Sequence, residues 1–415
     1  MLNTNINEAK KILKENNQEN IIKVLEKLDN EHQQKLAEQV LNLDFAQLNR
    51  LYQETKEKPE ILDKKIEHIK YVDKYKLSEE KRNLYTKLGE EIIKKGQYAV
   101  VTMAGGQGTR LGHKGPKGTF KLDVKPESKY LFQILAENLE RANEKYQVTI
   151  PWYIMTSTEN NKETITFFEQ HKYFGYPKAQ VKFFMQGNLP LLFTNGQLVL
   201  DKDYSIKQAA DGNGCIYRAM KEDGILEDMK NKGVKWAFIG AVDNALLNMV
   251  DPILLGLTID EKNVAASKSI PKNSPKEKVG VFCKANGVPS VIEYSELPEK
   301  MAEQTDEDGE LLYGEAHIMC NLFSLEALEK IAQVNLPYHV ANKKTNYMNE
   351  NGEFVEVTEP NAYKFEAFIF DAFNLFDDIS ILRGKREEDF APVKNKEGND
   401  SPETATKLYN DYWNN

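Results

Sequence analysis

No glycine occurs before Gly89 in a chain that has 24 of them, and Pro59 is the one proline ahead of that point. Glycine and proline are the residues that most readily interrupt helices, so the stretch up to Gly89 is predicted to be helical. Apolar residues there recur at helical spacing, in Ile21, Ile22, Val24, Leu25 and Leu28 and again in Leu41, Phe45, Leu48 and Leu51, with charges between them. An N-terminal helical region is therefore expected over residues 1–95.

From Tyr98 the texture changes to short β-rich runs alternating with helical patterns, the signature of βα units around a mostly parallel sheet. Strands are predicted at Tyr98–Met103, Trp152–Thr156, Val181–Met185 and Trp236–Val242, with helices at Leu131–Leu139, capped by Ser128, and at Lys162–Gln170. Further strands are expected at Val264–Ser267, Val279–Lys284 and Ser290–Tyr294, the last two joined by a turn at Ala285-Asn286-Gly287. Ser324 caps a helix running to Gln333. Residues 96–375 are thus read as one α/β domain, and 376–415 as a short polar C-terminal segment with a late aromatic cluster, Tyr409, Tyr412 and Trp413.

Composition narrows the partners. With 55 Lys+Arg against 64 Asp+Glu the formal charge is -9, which disfavours a broad basic face for nucleic acid but not a local pocket for phosphates. Cys215, Cys283 and Cys320 form no CxxC pair and are odd in number, which argues against a disulfide framework or structural zinc and fits a reducing compartment. No basic n-region followed by an apolar run opens the chain, and no apolar run is long enough to cross a bilayer, so a soluble cytoplasmic protein with no membrane partner is expected. The oligomeric state is not legible. His32, His68, His113 and His171 are scattered without metal-ligand spacing and are read as structural or surface residues.

The segment that carries chemistry is Ala104-Gly105-Gly106-Gln107-Gly108-Thr109-Arg110-Leu111-Gly112, directly after the first strand, continuing to Pro116-Lys117-Gly118. Glycines at a strand end let the backbone approach a nucleotide and offer N–H groups to phosphate oxygens. Gly106-x-Gly108-x-x-x-Gly112 has one residue too many for a dinucleotide fingerprint, and no glycine precedes Lys-Ser or Lys-Thr as a P-loop requires. Arg110 can grip phosphate oxygens bidentately, and Lys117 can act as a mobile point charge. On residues alone, Asp243 at the end of a strand is either a magnesium ligand beside phosphates or a helix cap, Glu293 is a cross-strand charge partner, and Lys364 and Lys394 are ordinary surface lysines.

These motifs resemble the UDP-sugar pyrophosphorylase family, most closely the eukaryote-type UDP-N-acetylhexosamine pyrophosphorylases. Besides Ala104–Gly112 and Pro116-Lys117-Gly118, the resemblance runs through Phe183 to Pro190, Ala210-Asp211-Gly212-Asn213-Gly214, Val242-Asp243-Asn244 and Val291 to Glu296. It continues in His339 to Lys344, Lys364 to Asp371 and Phe390 to Asn395, and reaches back to Leu43 to Tyr52. It implies a Rossmann-like nucleotidyltransferase domain with a mixed sheet, and transfer of a uridylyl group from UTP to a sugar 1-phosphate with release of pyrophosphate. The most closely implied sugar is an N-acetylhexosamine. Glucose 1-phosphate is the alternative, because Lys114-Gly115-Pro116-Lys117 also looks like that branch, and a noncatalytic nucleotide-sugar-binding protein is a third reading.

Carried over residue by residue, the resemblance implies that Ala104, Gly105 and Gly106 lie under the nucleotide, with Gln186 and Gly212 recognising uracil. Arg110 would face the leaving pyrophosphate, while Lys117, Lys364 and Lys394 would serve the reacting phosphates. Asn213, Glu293 and Phe368 would contact the sugar, and Asp243 would hold Mg²⁺. His317 is the departure: aligned on Ile318, Ala316-His317 stands where the family has a Gly-Asn pair on the sugar. The family's eukaryotic members also continue past the point matching Trp413 into a small C-terminal β-domain.

Overall fold

The computed structural model describes residues 2–57 and 64–414. Their contacts fall into two compact units, each assembled from three separate stretches of chain.

The larger unit comprises Asp63–Gln186, Cys215–Asn335 and Ile369–Asn415 and is built on an eleven-stranded sheet. Its main strands are β1 (Tyr98–Met103), β2 (Trp152–Thr156), β3 (Val181–Met185), β4 (Trp236–Ala241), β5 (Ala265–Pro271), β6 (Val281–Ala285), β7 (Val288–Ile292), β8 (Glu315–Ser324) and β9 (Ser380–Arg383). Along the sheet the order is β9-β5-β8-β4-β1-β2-β3. The run β4-β1-β2-β3 is parallel. β1 and β2 are buried at every position, which is why both read as unbroken apolar runs.

The other half of the sheet departs from the mostly parallel reading. β8 lies antiparallel between β4 and β5, making the sheet mixed, as the family resemblance implied. The sequence hides β8 because its polar residues are satisfied inside the fold. Glu315 bonds Arg383 Nε at 2.8 Å and Ser269 Oγ at 2.5 Å, and His317 bonds Asn321. β6 and β7 form the predicted hairpin, with Ala285 opposite Val288 around Asn286-Gly287. The C-terminal segment is more than a tail: it supplies β9, parallel to β5, and the helix Pro402–Asn414 that carries the late aromatic cluster.

Ser128 does not cap the helix after β1. Its hydroxyl donates to Asp123 Oδ1 at 2.8 Å, and the helix Leu131–Tyr146 starts from Tyr130, whose N–H donates to Gln133 Oε1 at 3.4 Å. Ser324 does cap Leu325–Ile331, accepting from the Ala327 N–H at 3.1 Å. Gly89, the first glycine of the chain, has a packing reason. Helix Glu79–Lys94 packs against helix Pro252–Asp260 so closely that a Cβ on Gly89 would collide with the Pro252 backbone, and one on Gly256 with the Tyr85 backbone.

The smaller unit joins Met1–Leu62 to Gly187–Gly214 and Leu336–Phe368. Helices Leu2–Glu15, Glu19–Leu25, Asn30–Leu41 and Phe45–Glu54 bury Leu13, Ile21, Leu36, Leu48 and Leu51 in one core with Leu192, Leu198, Ile206 and Phe365. The expected helical region therefore divides, since Glu79–Lys94 belongs to the sheet unit. The expected division was drawn as three consecutive stretches, whereas both compact units are discontinuous in sequence. No helix among the described residues is long and apolar enough to cross a membrane.

One buried charge cluster ties parts of the sheet unit together. Lys268 on β5 is 1% exposed, and its ammonium lies 2.6 Å from Asp251 Oδ2 and 2.7 Å from Asp389 Oδ1. Asp251 also caps helix Pro252–Asp260 by accepting from the Ile253 and Leu254 N–H groups. Burial pushes the Asp251 carboxyl up, and the charges of Lys268 and Lys74 more than reverse this, bringing its pKa to about 2.

A folded-state pKa held below the unfolded value of ~3.9 contributes stability that is present above that value and is lost as pH falls toward 2. Lys268→Met strands two buried carboxylates and should cost about 3–5 kcal/mol at neutral pH. The gap to the parent should narrow as pH falls through that window. Urea unfolding followed by circular dichroism at several pH values checks this, and an unchanged midpoint at neutral pH would overturn it.

Candidate active site at the carboxyl ends of the parallel strands

In the order β3-β2-β1-β4 the chain leaves β1 toward one side of the sheet and β4 lies on the other, so the crevice at their carboxyl ends is the place where an open α/β sheet binds ligands. The glycine-rich loop leaves β1 there. It folds back on itself through Gly108 N–H to Gly115 O at 2.9 Å and Lys117 N–H to Gly106 O at 3.0 Å. Among the described residues the N–H groups of Gly105, Gly106 and Gln107 donate to no protein acceptor. Three successive free donors in a tight loop are suited to anionic oxygens.

The loop's other side is held by Asn160, fully buried, whose Nδ2 donates to Ala104 O at 2.9 Å and whose Oδ1 accepts from the Ser157 N–H at 2.8 Å. Gly105 lets the Gln186 amide lie against the loop: a Cβ there would stand 2.5 Å from Gln186 Nε2 and displace that side chain. Gln186, just beyond β3, is buried against that loop and anchored by its own N–H to Thr156 O at 2.9 Å. Arg110 is exposed and makes no ion pair among the described residues.

Asp243 follows β4 and meets the loop directly: its Oδ2 lies 2.7 Å from Lys117 Nζ, with the two side chains 19% and 18% exposed. No helix begins at this point, and the nearby helix cap is Asp251, so capping is not the role of Asp243. Burial pushes the Asp243 carboxyl up, but the charges of Lys117 and Lys394 and its hydrogen bonds outweigh that and hold it below the usual carboxylate range. Lys394 arrives on the segment after Asp389, which runs beside the residues following β4: Val393 N–H donates to Asp243 O at 2.8 Å, and Ala245 N–H to Ala391 O at 3.0 Å.

His317 is 6% exposed on β8, boxed edge-on by Phe282, Phe370 and Phe373 and bonded through Nε2 to Asn321 Oδ1 at 2.9 Å. Burial, with a contribution from the Lys394 charge, pushes its pKa down to about 4. Glu293 lies one residue past β7 rather than within the hairpin strand, with its side chain against Gly280.

The remaining candidates belong to the smaller unit. There the Asp211–Gly214 turn is fixed by Asp211 N–H to Gly187 O at 3.1 Å and by Ala367 N–H to Asp211 O at 2.9 Å. Gly212 has φ +98°, and a Cβ on it would collide with the Ala367 backbone, so no other residue fits. This sets Gly212 and Asn213 beside Phe368, whose ring lies 4.5 Å from that of His339. On strand Ala362–Ala367 Phe365 points into the helical core, and alternation turns Lys364 and Glu366 to the opposite face, paired at 2.8 Å.

A family profile described as UTP–glucose-1-phosphate uridylyltransferase, UDPGP, matches residues 42–400. The chain belongs to that family. It is 40% identical over 341 residues to UDP-N-acetylglucosamine pyrophosphorylase of Saccharomyces cerevisiae, covering 79% of this chain and 71% of that protein. It is 36% identical over 418 residues to UDP-N-acetylglucosamine diphosphorylase 2 of Arabidopsis thaliana, covering 95% and 82%. Among solved structures, the uridine diphosphate N-acetylglucosamine pyrophosphorylase of Trypanosoma brucei, in complex with an inhibitor, superposes with a TM-score of 0.82 at 30% identity, covering 97% of this chain and 84% of that one.

Two residues that sequence reasoning passed over shape this member of the UDPGP family. Asn160 looks like an ordinary residue at the head of helix Asn161–Gln170, and nothing in its spacing signals a clamp on the loop. Asn244 follows Asp243 in Val242-Asp243-Asn244, and nothing in its spacing signals what its amide binds. For His317 a depressed pKa means that the unfolded chain binds the proton more readily, so stability falls as pH drops below ~6.5 and continues to fall toward 4. An NMR titration of the six histidines should find one ring that stays neutral to near pH 4 and vanishes in His317→Gln; a midpoint near 6.5 for that ring would contradict the buried box.

Proposed function

We propose that this chain is a UDP-sugar pyrophosphorylase that joins UTP and a sugar 1-phosphate, most closely an N-acetylhexosamine 1-phosphate, into a UDP-sugar and pyrophosphate in the cytoplasm. The observation that carries the reading is the row of free N–H groups at Gly105, Gly106 and Gln107 beside the Lys117–Asp243 pair at the switch point of the sheet. The reading agrees with the names of the relatives matched over most of the chain.

In this mechanism an oxygen of the sugar phosphate attacks the α-phosphorus of UTP in line, and the bond from that phosphorus to the oxygen bridging to the β-phosphate breaks. The leaving pyrophosphate takes the electron pair, and no covalent enzyme intermediate forms. Catalysis rests on aligning two anions and on cations that match the charge growing on the α-phosphate and leaving group. The loop N–H groups and Arg110 bind the triphosphate, while Lys117 and Lys394 stabilise the reacting phosphates. Within the sheet unit, Ala104 and Gln186 border the nucleotide, and Glu293 and His317 serve the sugar. The family resemblance gives the residues of the smaller unit their own roles: Gly212 toward uracil, Lys364 toward the sugar phosphate, and Asn213 and Phe368 toward the sugar.

Among the described residues no cluster of three His, Cys, Asp or Glu could hold a metal alone. A single ionised carboxylate nevertheless suits Mg²⁺, which is commonly held by one or two carboxylates together with substrate phosphates. Asp243 fits that role, and Mg²⁺ bound there supplies charge neutralisation to the phosphates. The same carboxylate accepts from Lys117 Nζ at 2.7 Å.

A second reading, glucose 1-phosphate as the substrate, is favoured by Lys114-Gly115-Pro116-Lys117, which also resembles that branch, while His317 in place of the expected asparagine bears on which sugar fits. Pyrophosphate release with UTP, Mg²⁺ and a panel of sugar 1-phosphates separates the two. The highest kcat/KM is expected with N-acetylglucosamine 1-phosphate, and His317→Asn should alter its ratio to glucose 1-phosphate. Preference for glucose 1-phosphate establishes the second reading, and no release with any sugar leaves a noncatalytic binder.

Lys117→Ala should lower turnover on the order of 10²-fold or more with little change in unfolding temperature, because the group acts mainly on charge that appears in the transition state. Asp243→Asn should raise the Mg²⁺ concentration needed for half activity. An unmoved magnesium titration at full activity would remove Asp243 from metal binding.

A further inference from the structure

We infer that Asn244 is the positioning residue that holds Lys394 at the reacting phosphates. This rests on the proposed role of Lys394 in uridylyl transfer. Lys394 sits on a strap, residues 389–394, that is no strand of the sheet and contains Pro392, which has no N–H to give to a ladder. One antiparallel bridge, Asn244 with Pro392, pairs it with the residues after β4 through Ala245 N–H to Ala391 O at 3.0 Å and Val393 N–H to Asp243 O at 2.8 Å, and a side chain reinforces that single bridge.

Asn244 does so with its side chain. The residue is 2% exposed; its Nδ2 donates to Asp389 O at 2.7 Å, and its Oδ1 accepts from the Ala391 N–H at 2.8 Å and from the Leu246 N–H at 3.1 Å. The amide thus grips both ends of the strap's first turn and its own loop at once, opposite Pro392. An asparagine amide offers donors and an acceptor on one short, flat group without a charge. The strap's first residue is fixed independently by Lys268, whose ammonium lies 2.7 Å from Asp389 Oδ1. The strap's backbone ties to the residues after β4 are Ala245 N–H to Ala391 O and Val393 N–H to Asp243 O, and beyond them Lys394 N–H donates to Asp400 O at 2.7 Å. Loosening Asn244 therefore shifts the lysine relative to the Asp243 carboxylate while leaving the glycine-rich loop intact. Displacements of about 1 Å in a positioning group can cost up to ~10²-fold in rate.

The test is a double-mutant cycle on pyrophosphate release with Asn244→Ala, Lys394→Ala and the double variant, with KM for each substrate and unfolding temperatures recorded. Asn244→Ala is expected to lower kcat roughly 10-fold or more with KM for UTP within about twofold, and the double variant should be no slower than Lys394→Ala alone. If the two losses multiply, Asn244 acts only on the general fold and the inference falls while the role of Lys394 stands. If Lys394→Ala is fully active, the reading of Lys394 itself falls and takes the inference with it. Where the alanine variant is not recovered folded, Asn244→Asp, which keeps the shape and the acceptor but loses the donor to Asp389 O, enters the same cycle with the same deciding outcomes.

Discussion

The ammonium of Lys268 is the interaction on which the most distant parts of the sheet unit depend. Buried with two carboxylates, it joins β5 to the cap of helix Pro252–Asp260 through Asp251 and to the strap through Asp389. That helix in turn receives Glu79–Lys94 at backbone distance through Gly89 and Gly256. A buried ion pair is weak evidence for net stability, because desolvation opposes the attraction, but its directionality suits registering separate elements. Here it registers a helix start and the lead-in to Lys394 against one strand.

The charge distribution follows from this architecture. A chain with net charge -9 collects Arg110, Lys117 and Lys394 around the carboxyl ends of β1 and β4, with Asp243 between two of them. Cations held close together repel one another, and the Asp243 carboxylate offsets that repulsion between Lys117 and Lys394.

Much of the sheet could be read from the sequence because β1 and β2 are short, fully buried apolar runs and β3 is a short aromatic-rich one broken only by Lys182. The loop was legible for a similar reason: glycine spacing directly after a buried strand has few other uses. β8 was not legible as a strand, since Glu315, His317 and Asn321 are polar and become acceptable inside only through partners distant in the chain. Nor did the sequence reveal that Phe365 completes the N-terminal helical core. Asn160 and Asn244 were illegible in the same way, because an asparagine's role depends on which carbonyls it meets. Ser128 shows the converse error: a good capping residue near a helix start found a nearer partner in Asp123.

The discontinuous make-up of the smaller unit bears on how the protein is made. Its described helices emerge from the ribosome before its other two segments, yet the apolar faces bearing Leu36, Leu48 and Leu51 are sealed by Leu192, Leu198 and finally Phe365. At about 5–20 residues per second, translation leaves those faces without their last partner for on the order of tens of seconds. During that interval the nascent chain displays an amphipathic bundle with one side unpaired, a natural client for a chaperone that recognises exposed aliphatic surface. Burdening that period, by rare codons between the second and third segments or by loss of such a chaperone, should therefore lower the yield of folded protein even though no residue of the finished structure has changed.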